Sequence, residues 1–144
     1  MVRSSRRRAR EFALQGLYQW QLAGAEPGTI ARELAEARGF DKLDPDYFRQ
    51  LLHGTIANAP ELESVLAPCL DRKFSQLSPV ERAILLVAAY ELTRQAEVPY
   101  RVVINEAVEL AKIYGGTDGY KFVNGVLDKL AGQLRQGKLP TDVT

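Results

Sequence analysis

Two residue types that carry much of protein chemistry are nearly missing. The 144 residues include one cysteine, Cys69, and one histidine, His53. A single cysteine cannot close an internal disulfide, and a chain this long does not need one, so a reducing, cytoplasmic compartment is expected. One histidine with one cysteine excludes an ordinary zinc cluster. A Ser-His-Asp or Cys-His arrangement would have to use His53, between Leu52 and Gly54, and no G-x-S-x-G elbow is present. His53 reads as a packing or capping residue.

Long apolar runs are also missing. No window nears the ~18 uninterrupted apolar residues that span a bilayer, so no membrane contact is expected. After the first arginines, ALQGLYQWQLA is broken by glutamines and lacks a secretory signal's clean apolar stretch. An Arg-rich, acid-poor start does look like a mitochondrial transit peptide, but here it continues unbroken into a long periodic helix. The stretch from Gly115 to Lys121 is glycine-rich without the order of a phosphate-binding loop. It reads as a helix connection with Asp118 as cap. Glu106 and Glu109 share one helix and read as solvated or ion-paired. Neither a metal nor a cofactor is expected, and a binding module is favoured over an enzyme.

What is present is ordinary in amount and uneven in placement. Apolar residues make up 46% and charged residues 26%, which fits one compact domain over residues 1–144. Arg3, Arg6, Arg7, Arg8 and Arg10 fall within the first ten residues, with no acid before Glu11. The other 134 residues hold 14 basic against 18 acidic side chains, a net −4, although the whole chain is +1. Such asymmetry hints at nucleic acid or an anionic surface, while a solvated tail stays open on charge alone.

No strand pattern stands out, and helix signals recur from end to end. The periodicity predicts helices over about Ser5–Leu22, stopping near Gly24, and about Thr29–Arg38, ending at Gly39. A third is capped by Asp44-Pro45 and runs through Leu52 toward Ala57, and a fourth starts at Asn58-Ala59-Pro60-Glu61 and closes or kinks at Pro68. Ser78-Pro79-Val80-Glu81 is a capping box. The eight apolar residues Ala83 to Tyr90 that follow mark a helix surrounded by others. Two more helices are expected, at about Tyr100–Tyr114 and about Asp118–Leu134. The shift near residues 71–78 suggests two packed subdomains, about 1–73 and 74–137, with 138–144 a frayed tail.

On a helical wheel the first helix sorts into three faces. Ala9, Phe12, Ala13, Gly16, Leu17 and Trp20 point to the core. Arg3, Arg7 and Arg10 form one ridge, with Arg6 near the core edge and Arg8 elsewhere. Leu14, Tyr18 and Leu22 make a second apolar stripe, either wedged between subdomains or facing a protein partner. Guanidinium groups fork onto phosphate and stack on bases. Five such contacts to a single strand would cost ~10² in affinity between 50 and 200 mM salt. In the last helix Val123, Val126, Leu127, Leu130 and Leu134 form the core face. Phe122 sits on its border beside Asp118, Gly125 and Lys129, as a boundary residue or as a ring offered to a base.

Four collinear segments, RRRAREFALQGLYQWQL, ERAILLVAAYEL, VPYRVVINEAVELAK and KFVNGVLDKL, resemble the NusB family of bacterial transcription antitermination factors over nearly the whole chain. The resemblance implies an all-α fold of two small helical bundles packed together, with about seven helices. It further implies binding of the boxA element of nascent ribosomal RNA together with NusE, a small-subunit ribosomal protein, in a complex on RNA polymerase. By motif, Arg6, Arg7, Arg8, Arg10, Asp118, Lys121 and Phe122 match RNA-facing positions, and Tyr18 and Glu81 match positions facing NusE. Ser75 departs from an acidic residue expected near there. The same helical domain begins a class of ribosomal RNA cytosine methyltransferases, whose chemistry needs a second, α/β domain that these residues do not include. The competing function is a protein-binding helical scaffold with only nonspecific RNA affinity. Oligomeric state stays open, since self-association through the first helix would bury the arginines and block RNA.

Overall fold

The structure is a computed structural model and describes residues 4–135. Among these are seven α-helices and no strand: α1 (Ser5–Ala23), α2 (Pro27–Leu34), α3 (Pro45–Ala57), α4 (Ala59–Leu66), α5 (Pro79–Arg94), α6 (Tyr100–Tyr114) and α7 (Gly119–Arg135). Arg3 and the expected tail lie outside the described residues.

Local chemistry sets most boundaries. Gly24 ends α1 with φ 64°, its N–H bonded to the Trp20 carbonyl, a left-handed stop that glycine adopts without steric cost. The Asp44 carboxylate accepts from Tyr47 N–H at the start of α3. Both halves of the Ser78/Glu81 capping box form: Ser78 Oγ accepts from Glu81 N–H at 3.1 Å and Glu81 Oε1 from Ser78 N–H at 3.4 Å. Pro68 lies in a single 3₁₀ turn, Ala67–Cys69, that closes α4.

The second helix departs from expectation. It starts at Pro27, not near Thr29, because Pro27 is pre-set for a first turn and the Glu26 carboxylate, not a later residue, caps Thr29 N–H. It also stops at Leu34, and a 3₁₀ turn, Phe40–Lys42, follows Gly39. The apolar spacing fades at that point, since residues 35–38 are all exposed.

Helix α5 organises the packing. Ala83 to Ala89 are all buried and Tyr90 is half-buried, because α1, α3, α4, α6 and α7 all pack on α5. One buried cluster therefore runs from Ala9 to Ala131. The Arg10–Glu91 and Gln21–Pro79 hydrogen bonds at opposite ends of α1 make it antiparallel to α5. Gly16 lets α1 approach α3: a Cβ there would lie 2.7 Å from Leu52 Cδ1. Truncating a fully buried leucine here, such as Leu17, should cost about 2–5 kcal/mol.

Candidate nucleic-acid and partner interfaces

Basic residues in the first turn of a helix oppose its dipole, by about 0.3–1 kcal/mol each. Helix α1 begins with Arg6, Arg7 and Arg8 and has no acid in its first turn. Carboxylates from distant elements answer that charge. Arg10 is 4% exposed and forks onto Glu91 of α5, with Nε–Oε1 and Nη2–Oε2 both 2.8 Å. Tyr47 of α3 donates its hydroxyl to Glu91 Oε2 at 2.5 Å. Arg7 forks onto Glu106 of α6, with Nε 2.9 Å from Oε1, and Arg10 Nη1 approaches the same oxygen at 3.5 Å.

The protonation equilibria follow this network. Burial works against the Arg10 charge, but the hydrogen bonds and charge of Glu91 outweigh it and raise the pKa. Hydrogen bonding from Arg7 holds the Glu106 carboxyl below the usual carboxylate range. Burial, reinforced by Glu91, pushes the Tyr47 phenol up. Removing one partner of the Arg10–Glu91 pair would strand a buried charge, at about 3–5 kcal/mol.

This corrects part of the expected arginine patch. Arg10 does not face solvent; it is a structural core cation. Arg7 and Arg10 share a ridge, as the wheel indicated, but the ridge lies against α5 and α6. The answering acids sit 81 to 99 residues away in sequence, which helix periodicity cannot register. Arg6 stays exposed, with its guanidinium 4.2 Å above the Tyr47 ring and 3.9 Å from Asp44. Arg8 is half-buried, with Nη1 close to Gly39, and makes no ion pair among the described residues.

A second basic and aromatic region lies at the start of α7. Asp118 precedes the helix with φ 65°, and Lys121 N–H bonds its carbonyl. Aspartate tolerates this left-handed conformation better than most residues. Its carboxylate lies 3.4 Å from Lys121 Nζ, and both side chains are about two-thirds exposed. The Tyr120 ring lies under Lys112 Nζ at 5.3 Å and near Lys121 Nζ at 6.0 Å. Phe122 is half-buried, and the Arg72 guanidinium sits 4.6 Å from its ring centroid. Arg72 was missed in the sequence because it lies in the α4–α5 connection, where no periodicity assigns a face.

Between these regions lies an apolar groove of about 300 Å³, lined by Leu14, Gln15, Tyr18 and Gln19 of α1, Val80 of α5 and Tyr114 of α6. The second stripe of α1 splits here. Leu14 is buried, whereas Tyr18 is 39% and Leu22 58% exposed. Glu81 is half-buried next to this groove, and its Oε2 lies 3.3 Å from where a Gly119 Cβ would be. The structure thus brings Tyr18, Glu81, Asp118, Lys121 and Phe122 to neighbouring parts of one surface. The α1 arginines are set apart. Glu91 marks their end of α5 and Glu81 the other, ten residues or about 15 Å along the helix. Ser75 is exposed in a 3₁₀ turn, Phe74–Gln76.

Other chemistry is sparse. Among the described residues no group of three or more His, Cys, Asp or Glu could hold a metal ion, and no helix is long and apolar enough to cross a membrane. Burial raises the pKa of the Cys69 thiol, which suits packing rather than reaction.

A family model described as "NusB family" matches residues 7–132. The chain is 60% identical over 134 residues to the transcription antitermination protein NusB of Paraburkholderia phytofirmans, covering 93% of each. Among solved structures it is similar to T. maritima NusB, with TM-score 0.81, 29% identity and coverage of 92% of this chain and 94% of the other. A chain in a crystal structure of antitermination factors NusB and NusE with dsRNA gives TM-score 0.79 and 29% identity, covering 89% and 96%.

Proposed function

The chain belongs to the NusB family, and from that premise we propose that it is a non-enzymatic, RNA-binding transcription antitermination factor acting with NusE. The RNA is the boxA element of nascent ribosomal transcripts, and the setting is a cytoplasmic complex on RNA polymerase. One observation supports this reading most: a basic and aromatic edge at Lys121 and Phe122 adjoins an open apolar groove at Tyr18, with Glu81 between them.

Each part has a distinct task. Arg6 and Arg8 at the start of α1, with Lys121 at the start of α7, attract phosphates. Arg7 joins them only by exchanging Glu106 for phosphate. Because the two basic regions lie at opposite ends of α5, a strand of several nucleotides has to run between them. Phosphate contacts set affinity and position, while bases near Phe122 give sequence preference. Tyr18, Leu22 and Tyr114 offer apolar surface to NusE, and Glu81 supplies a charged neighbour. By linkage, whatever factor NusE adds to RNA affinity, RNA adds to NusE affinity.

The test is a titration of a boxA-like strand and a scrambled strand, at several salt concentrations, with and without NusE. Preference for boxA that grows with NusE is expected. Equal affinity for both strands under every condition would favour the scaffold with nonspecific RNA affinity.

A further inference from the structure

A guanidinium lies over the ring of Phe122. Phe122 packs on the core through one side, and the Arg72 guanidinium lies 4.6 Å from its centroid. Arg72 is itself held flat: Nε donates to Asp71 Oδ1 at 2.7 Å and Nη2 to Oδ2 at 3.2 Å, a planar fork that leaves Nη1 unused. The Arg72 side chain is about half exposed, so the guanidinium covers the ring and presents a surface of its own. A guanidinium plane stacks on bases as well as on aromatic rings, and with Phe122 against one face and Asp71 along one edge, the outer face is left to offer beside Nη1.

We propose that a base of the bound RNA stacks on Arg72, with Phe122 as the support beneath it and Asp71 as the clamp that fixes its plane. The inference rests on the RNA-binding reading above and deepens it by naming the stacking residue. Phe122 then acts as a positioning residue. Arg72 serves as a flat surface, because Asp71 occupies its Nε and Nη2 and fixes the plane.

The full-length protein with fluorescein-labelled boxA-like and scrambled strands tests this, using Arg72→Lys, Arg72→Ala, Phe122→Ala and the double alanine variant over a range of salt. Arg72→Lys keeps the charge and loses the plane. It should weaken boxA binding about tenfold, as Arg72→Ala does, with the salt slope unchanged. Phe122→Ala should lose a similar factor, and the double variant no more than the worse single one, because the stack acts as a unit. A boxA-like strand carrying 2-aminopurine should lose quenching in all four variants. Affinity for NusE alone and the circular dichroism spectrum should stay as in the parent.

Three results would overturn the proposal. Parent-like binding by Arg72→Lys is one, and a slope lowered by about 0.7 in Arg72→Ala but restored in Arg72→Lys is another, since both mark a charge contact and not a stack. Tighter binding by Arg72→Ala alongside weaker binding by Phe122→Ala would make Arg72 a cover over the stacking ring. If the parent fails to prefer boxA over the scrambled strand while Arg72→Lys weakens both, the stack stands and the boxA reading falls.

Discussion

The start of α1 and the start of α7 are both basic, yet they spend their charge differently. Arg7 and Arg10 meet Glu106 and Glu91 from two other helices, and Arg10 is buried. Among the described residues Lys121 and Arg72 form ion pairs with acids near them in sequence, Asp118 and Asp71, and remain exposed over or near aromatic rings. The first arrangement fixes how α1 sits on α5 and α6. The second leaves charge and flat surfaces facing outward. Density of arginine in sequence is therefore a poor guide to which cations a ligand meets; the carboxylates brought in by the fold decide that.

The sharpest way to break the comparison is Arg10→Ala. It should lower stability by about 3–5 kcal/mol in urea unfolding, because Glu91 is left buried without its partner. Replacing a solvated RNA contact would cost almost nothing in that measurement.

The next effect is on RNA. Lys121→Ala should weaken binding to boxA-like and scrambled strands alike, with the salt slope falling by about 0.7 and the melting temperature unchanged. An unchanged slope would remove Lys121 from the phosphate contacts.

Glu106→Gln should act in the opposite direction. Freed from its carboxylate, Arg7 becomes available to phosphate, so RNA affinity at low salt should rise a few-fold. Stability should fall by about 1–3 kcal/mol, since the Glu106 side chain is only 12% exposed and also meets the buried Arg10. The same pair gives a pH dependence. Glu106 has a folded-state pKa below its ordinary value of 4.5, so its contribution is complete above that value and is lost as pH falls toward the lowered one. Glu106→Gln should flatten this part of the acid limb of a stability profile measured below pH 4.5.

The smallest effect expected is from Ser78→Ala, at about 1 kcal/mol in thermal unfolding, through loss of the α5 cap beside Glu81.

Much of the fold is legible in sequence where the signals are local. Asp44-Pro45, Ser78-Pro79 with Glu81, and Gly24 mark helix ends because each acts on backbone within three or four residues. The core faces of α1 and α7 follow from periodicity, down to the half-burial of Phe122. What escapes has a common cause, dependence on residues far along the chain. The wheel sets Arg10 on the flank ridge and Arg6 nearer the core, and Glu91 reverses that order by drawing Arg10 inward. Leu14 and Tyr18 share a stripe until the fold covers one of them. Arg72 has no face until the α4–α5 connection lays it on Phe122. The start of α2 failed for a local reason, since Glu26-Pro27 is as good an opening as Thr29 and lies earlier.

Amide hydrogen exchange with and without a boxA-like strand compares the two regions in one measurement. The expected result is protection on RNA binding at residues 70–74 and 116–122 as well as at the first turn of α1. Protection confined to the first turn of α1 would contradict it, and would mean that arginine density, and not the open edge at α7, locates the RNA.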